Sequence, residues 1–305
     1  MNCPTDREMQ AAAEIIRRGG LVAFPTETVY GLGANALDPE AAAKIYAAKE
    51  RPFASPLIVH VADEAMARTI AAVWPESARA LAARFWPGPL TLIVKKADIV
   101  PDLVTAGLDS VGIRIPAHPI ALDLIRRAGV PIAAPSANRF TEISPTTAAH
   151  VRASLGGRID MILDGGSTQV GIESTVATLR RVPPAVLRPG MITQSQLEAA
   201  TGMLWDREVD IPHIGGLPHE SPGLHPKHYA PRTPFYLLEP HASKPAGKGR
   251  VLDMPSDRET YAATLYAELH KADSEGWEWI AVVRPVGVPE WAGILDRLRR
   301  ASNSH

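Results

Sequence analysis

The sequence predicts an α/β fold, because helical and strand patterns alternate through roughly the first two hundred residues. Residues 209–234 then lose all periodicity and collect prolines, glycines and four histidines, which reads as a linker or functional loop. From 235 a second, shorter alternation begins. At 305 residues the chain suits about two domains, since single cores seldom grow beyond about 250–300 residues. The expected organisation is a main domain over 1–208, a linker over 209–234 and a small α/β module over 235–305.

Each element has a local reason. Glu8 to Arg18 reads as a helix closed by Gly19-Gly20, which can adopt a left-handed C-cap. Leu21 to Phe24 is an apolar strand running into the hydroxyl-rich, Gly-containing loop Pro25 to Gly33. Asp38 caps a helix that has Pro39 in its first turn and runs to Lys49. Strands are expected at Pro56–Val61, Leu90–Lys95, Val111–Ile115, Pro131–Ala134, Met161–Asp164, Ser174–Leu179 and Ala185–Arg188. Helices are expected at Pro75–Phe85, Pro119–Ala128 and Thr146–Leu155. In the module, strands at Phe235–Leu238, Arg250–Met254 and Trp279–Val283 alternate with helices at Asp257–Ala272 and Pro289–Ala301.

Composition excludes several function classes. A net charge of −1 provides no global field for nucleic acid or anionic membrane, so any RNA contact would use a local patch. A single cysteine, Cys3, excludes an internal disulfide framework and a Cys-based zinc site. No apolar h-region opens the chain, and no apolar run reaches the ~18 residues that span a bilayer, so a soluble cytoplasmic protein is expected.

Cations and hydroxyls collect at strand ends. Pro52 disfavours helical geometry at Arg51, so the helix should stop near Lys49 and both cations can turn to one side of the sheet. The structural alternative is a solvated pair at a helix C-terminus. His60 shares the Ile58 face of its strand, where a hydrogen-bonded structural histidine is the alternative. Arg114 stands opposite Val111, Ile113 and Ile115 beside Gly112, with a bare approach suited to a carboxylate or phosphate fork. A surface arginine on an edge strand is the other reading. Ser136 and Asn138 follow a strand's carboxyl end, where ligands of open α/β sheets sit. Ser144-Pro145-Thr146 has the form of a helix N-cap, and Arg188 ends a strand before Pro189-Gly190. Together these groups favour a phosphate-bearing ligand.

Two patterns mislead. Gly31-Leu32-Gly33-Ala34-Asn35-Ala36 matches G-x-G-x-x-A, but Pro25 to Tyr30 intervene between the strand and the first glycine. His213, His219, His225 and His228 suggest zinc, yet no cysteine or clean i,i+4 pair supports it, and no metal ligand is assigned.

FPTETVYGLG (24–33), KERP…SPLIVH (49–60), VGIRIPAHP (111–119), APSAN…SPT (134–146), GIESTV (171–176) and LRPG (187–190) resemble the YrdC family in order and spacing. SPGLHPKHYAP (221–231) is similar to the linker of its two-domain members, the threonylcarbamoyl-AMP synthases. The resemblance implies an open, twisted α/β sheet with a concave positive surface. It implies synthesis of threonylcarbamoyl-AMP and pyrophosphate from L-threonine, bicarbonate and ATP, with Mg²⁺ on the triphosphate. Other proteins would then transfer the threonylcarbamoyl group to tRNA, with direct tRNA binding weak or absent.

By that resemblance Thr28, His60, Arg114 and Ser174 match threonine-binding positions, and Arg51, Ser55, Ser110, Ser136, Ser144 and Arg188 match ATP-binding ones. Lys49, Arg51, Ser136 and Asn138 match the signature associated with activity, and His228 and Tyr229 belong to an expected lid. Ala134 replaces a threonine seen in some members, and Phe140-Thr141-Glu142 replaces a Gly-containing stretch. The competing readings are an RNA-binding module and carbamoyl transfer through a carbamoyl adenylate.

Overall fold

The computed structural model describes residues 4–206, 220–223 and 228–302. Cys3, His213, His219 and His225 lie outside the described residues, as does most of the expected linker. The chain runs through α1 (Asp6–Arg17), β1 (Val22–Phe24), β2 (Gly31–Asn35), α2 (Pro39–Lys49), β3 (Ile58–His60), α3 (Glu64–Ile70), α4 (Glu76–Phe85) and β4 (Leu90–Lys95). Next come α5 (Asp102–Thr105), β5 (Ser110–Arg114), α6 (Pro119–Ala128), β6 (Ile132–Ala133), α7 (Ala148–Leu155), β7 (Met161–Ile162), β8 (Thr175–Thr178), β9 (Ala185–Arg188) and α8 (Gln194–Thr201). The module contains β10 (Phe235–Leu238), β11 (Gly249–Val251), α9 (Arg258–Asp273), β12 (Trp279–Val283) and α10 (Ala292–Ala301).

Nine strands form one mixed sheet in the order β7-β1-β2-β6-β3-β5-β4-β8-β9. The parallel pair β3–β5 sits near its middle, so the carboxyl ends of both strands, His60 and Arg114, are register partners. Alternation gives the sheet two unlike faces. One is wholly apolar: Leu32, Val59, Leu92 and Ile113 pack on α2, α4 and α7 through Ile45, Leu81 and Val151. On the other, α1 and α6 cover only the end around Phe24 and Ile132. The remaining half carries a small apolar floor of Ile58, Ile93, Val176 and Leu187. That uncovered half is where a cleft forms.

The module is a parallel sheet, β10-β12-β11, with a core that reaches into the main domain. Tyr261, Leu265, Leu269, Ile280 and Leu298 pack in one cluster with Val29, Ile143 and Ile172. Two glycines let the parts meet backbone to backbone. A Cβ on Gly171, whose φ is +80°, would lie 2.2 Å from the Ala262 carbonyl oxygen, and one on Gly293 would lie 2.7 Å from that of Gly190. No described helix is long and apolar enough to cross a membrane.

Several expectations change. The G-x-G-x-x-A stretch is largely β2 itself, antiparallel to β1, and Gly33 is small because a Cβ there would lie 2.7 Å from Phe24 and 2.8 Å from Ile132. The N-cap of α7 is Thr147, whose hydroxyl accepts from His150 N, and not Ser144. β5 is flanked on both sides, which removes the edge-strand reading of Arg114. Pro289–Ala301 divides into a 3₁₀ turn over Pro289–Trp291 and α10.

Candidate active site

The uncovered half of the sheet holds a cleft. Its floor and walls bring together Thr28, Arg51, His60, Arg114, Ser136, Ser174 and Arg188, and Pro222, Gly223, His228 and Tyr229 cross its mouth. These residues come from segments far apart in the chain, which the fold brings together.

Lys49 and Arg51 reach this region because α2 ends abruptly. Glu50 takes a left-handed conformation, φ 54°, and turns the chain. Both cations are buried, so the solvated-pair alternative does not hold. Lys49 does not line the cleft. Its Nζ donates to the carbonyl oxygens of Ser136 and Asn138, fixing the loop after β6 from behind. Burial, reinforced by Arg51, pushes the Lys49 ammonium well below its usual pKa.

Arg51 does face the cleft. Its Nη2 donates to Ser55 Oγ at 2.5 Å and to Pro56 O at 2.9 Å, while its Nε has no hydrogen-bond partner among the described residues. Burial lowers its pKa to about 10, leaving the guanidinium charged at neutral pH. Arg188, at the end of β9, donates to Ser174 O at 3.0 Å, Ser174 Oγ at 3.2 Å and Pro222 O at 3.2 Å. Every acceptor of these two buried guanidinium groups among the described residues is neutral. Among the described residues neither has a carboxylate within ion-pairing distance.

Arg114 differs. It forms a 2.6 Å ion pair with Glu27, and its Nη1 donates to Thr28 Oγ1 at 3.0 Å and its Nε to Gly88 O at 3.1 Å. The bare approach expected from Gly112 is therefore replaced by a guanidinium already held by the TETVYG loop. Thr28 Oγ1 also bonds Thr26 Oγ1, at 2.9 Å. His60 is buried against Phe24, and burial followed by the charge of Arg114 lowers its pKa to about 3, so it is neutral. Its Nδ1 has no described partner.

Ser55, Ser110, Ser144 and Asn138 do not line the cleft. Ser55 anchors Arg51. Ser110 shares the Arg114 face of β5 but lies four residues, about 13 Å, away along the strand. Ser144 Oγ donates to Glu173 Oε1 at 2.5 Å, and Asn138 Nδ2 spans the 139–142 turn through Arg139 O and Glu142 O.

The cover is fastened on both sides. His228 N donates to Arg300 O at 3.1 Å and Ala230 N to Thr141 O at 3.0 Å. Tyr229 has φ 61° and is fully buried, and its hydroxyl has no described partner. The His228 ring meets Phe140 edge-on at 5.6 Å, so the Phe140-Thr141-Glu142 departure supplies a wall for the cover. Sequence reasoning missed Glu27, Glu173 and Arg297. The first two adjoin Thr28 and Ser174 within quoted motifs, which was the available signal.

Two buried guanidinium groups without counter-carboxylates, facing neutral donors under a cover, define an α/β protein built to bind an anionic ligand. Residues 14–190 match the family model Sua5/YciO/YrdC, described as "Telomere recombination", and residues 192–303 match "Threonylcarbamoyl-AMP synthase, C-terminal domain". The chain belongs to the Sua5/YciO/YrdC family. It is 46% identical over 238 residues to the threonylcarbamoyl-AMP synthase of Pyrococcus abyssi, covering 76% of this chain and 68% of that protein. It is 49% identical over 236 residues to that of Bacillus subtilis, covering 77% and 67%. The crystal structure of P. abyssi Sua5 complexed with L-threonine superposes with a TM-score of 0.90 at 38% identity, covering 98% of this chain and 95% of that one.

Proposed function

We propose that this protein synthesises L-threonylcarbamoyl-AMP and pyrophosphate from L-threonine, bicarbonate or CO₂, and ATP, for threonylcarbamoyl modification of tRNA. The observation that carries this reading is the pair Arg51 and Arg188, buried, charged and lacking a carboxylate partner among the described residues. Uncompensated buried cations are costly, and a triphosphate supplies the missing charge.

The chemistry needs no covalent nucleophile. Threonine's nitrogen bonds to the carbon of CO₂ and loses a proton to solvent. A carbamate oxygen then bonds to the α-phosphorus of ATP as the bond to the β-phosphate oxygen breaks and pyrophosphate leaves. The carbamate, the triphosphate and the departing pyrophosphate are all anionic, so the site's work is alignment and charge stabilisation. Arg51 and Arg188 would hold the phosphates, with Ser136 as a neutral donor. Thr28, His60 and Ser174 would line the threonine pocket, with Arg114 directed at the carboxylate. Neutral His60 suits a hydroxyl or amine, because it neither repels an ammonium nor traps an anion. Tyr229 and His228 would exclude water from the labile mixed anhydride.

Mg²⁺ would travel on the triphosphate. No cluster of three acidic, histidine or cysteine side chains among the described residues is placed to hold a metal, and Glu27 and Glu173 are both ion-paired. We take the main domain, cover and module to divide at 1–208, 209–234 and 235–305, and the reaction to be cytoplasmic. Transfer to tRNA would fall to separate proteins.

The test is pyrophosphate release from ATP with Mg²⁺, leaving out threonine and bicarbonate in turn. Release should require both. Release without either would reject the synthase.

A further inference from the structure

The largest fully buried side chain belongs to Arg297, which lies in the small module rather than in the main domain. It leaves α10 and reaches the back of the cleft wall at Glu173. Its Nε donates to Glu173 Oε2 at 2.7 Å, its Nη2 to Glu173 O at 3.3 Å and its Nη1 to Pro189 O at 3.0 Å. Its guanidinium carbon lies 5.2 Å from the centre of the Tyr229 ring. One side chain thus touches the residue before Ser174, the residue after Arg188 and the cover.

Glu173 is saturated by this arrangement. Besides Arg297 it accepts from Tyr266 Oη, also in the module, at 3.0 Å and from Ser144 Oγ at 2.5 Å. Glu173 lines the same cleft as Arg188, and among the described residues Arg188 donates only to neutral oxygens. A carboxylate beside Arg188 would otherwise be that guanidinium's natural partner. Burial raises the Glu173 pKa, but Arg297 and then Arg188 outweigh it, so the group stays ionised.

We propose that Arg297 is a positioning residue for nucleotide binding: with Tyr266 and Ser144 it holds the Glu173 carboxylate and so keeps Arg188 free for an anionic phosphate. The module then completes the electrostatics of the site as well as carrying its cover. This rests on the synthase reading, since the anion in question is the ATP triphosphate.

The experiment is calorimetric titration of MgATP into the unaltered chain, Arg297→Met, and Arg297→Met combined with Glu173→Gln, each first checked for cooperative unfolding. Releasing Glu173 onto Arg188 should weaken MgATP binding about tenfold or more, and neutralising Glu173 in the double variant should restore most of the loss. If Arg297→Met does not fold, Tyr266→Phe serves, with binding weakened about threefold and restored by Glu173→Gln. Unchanged affinity in the single variant, or a double variant as weak as the single, would overturn the inference alone. An unaltered chain that binds no MgATP would bring down the functional reading, and this inference with it.

Discussion

At the scale of residues, charge pairing separates the arginines already matched by a carboxylate from those that contact only neutral groups among the described residues. Glu27 engages Arg114 and Glu173 engages Arg297, while Arg51 and Arg188 contact neutral oxygens. Lys49→Ala and Arg51→Ala should both abolish pyrophosphate release while unfolding remains cooperative, the first by freeing the Ser136 loop and the second by removing a phosphate contact. Full activity in both would refute the site. Histidines held neutral by the fold should set the acid limit. Burial and then the charge of Arg114 lower the pKa of His60 to about 3, and partial burial and then His270, stacked at 3.9 Å, lower that of half-buried His150 to about 4, against 6.5 unfolded. Below 6.5 the unfolded chain binds more protons, so stability is complete above that pH and is lost as pH falls toward 3–4. For His60 the loss should be roughly 1 kcal/mol per pH unit, and His60→Gln should flatten melting temperature against pH. The cations and hydroxyls were legible in the sequence because they end strands. Glu27 and Glu173 were not, because acids in an anion site run against simple charge matching until their partners are seen.

At the scale of elements, long periodic segments could be read and short or glycine-rich ones could not. α6 and β4 occupy the expected residues because their apolar spacing is regular. β2 was hidden because Gly-Leu-Gly-Ala-Asn has little intrinsic strand preference and is held by pairing to β1 and β6. α8 was hidden by its short polar sequence, although Thr193 and Gln196 form a full capping box. Two contacts invite tests. Thr141 holds a left-handed φ of 71°, which costs a β-branched residue, so Thr141→Gly should raise stability by about 1 kcal/mol in denaturant titration. Gly293→Val would force α10 off Gly190 and should destabilise the protein by about 1–3 kcal/mol, with MgATP affinity falling as Arg188 shifts.

At the scale of the whole molecule, the sequence placed a boundary between two alternating regions but gave no sign that they merge. Val29, from the TETVYG loop, packs in the module's core together with Ile143 and Ile172. Contacts between segments so far apart leave no local periodicity to read. Removing residues 209–305 should therefore impair the reaction twice over, by losing the cover and by uncovering the back of the TETVYG loop. A truncated chain that releases pyrophosphate at the full rate would show that the cover has no role. The merged core also governs how the protein melts. A three-stranded sheet whose hydrophobic cluster borrows three residues from its neighbour has no independent globule to fall back on. Scanning calorimetry should record one endotherm with matching calorimetric and van't Hoff enthalpies, and amides of α9 and β8 should exchange with deuterium through the same global opening.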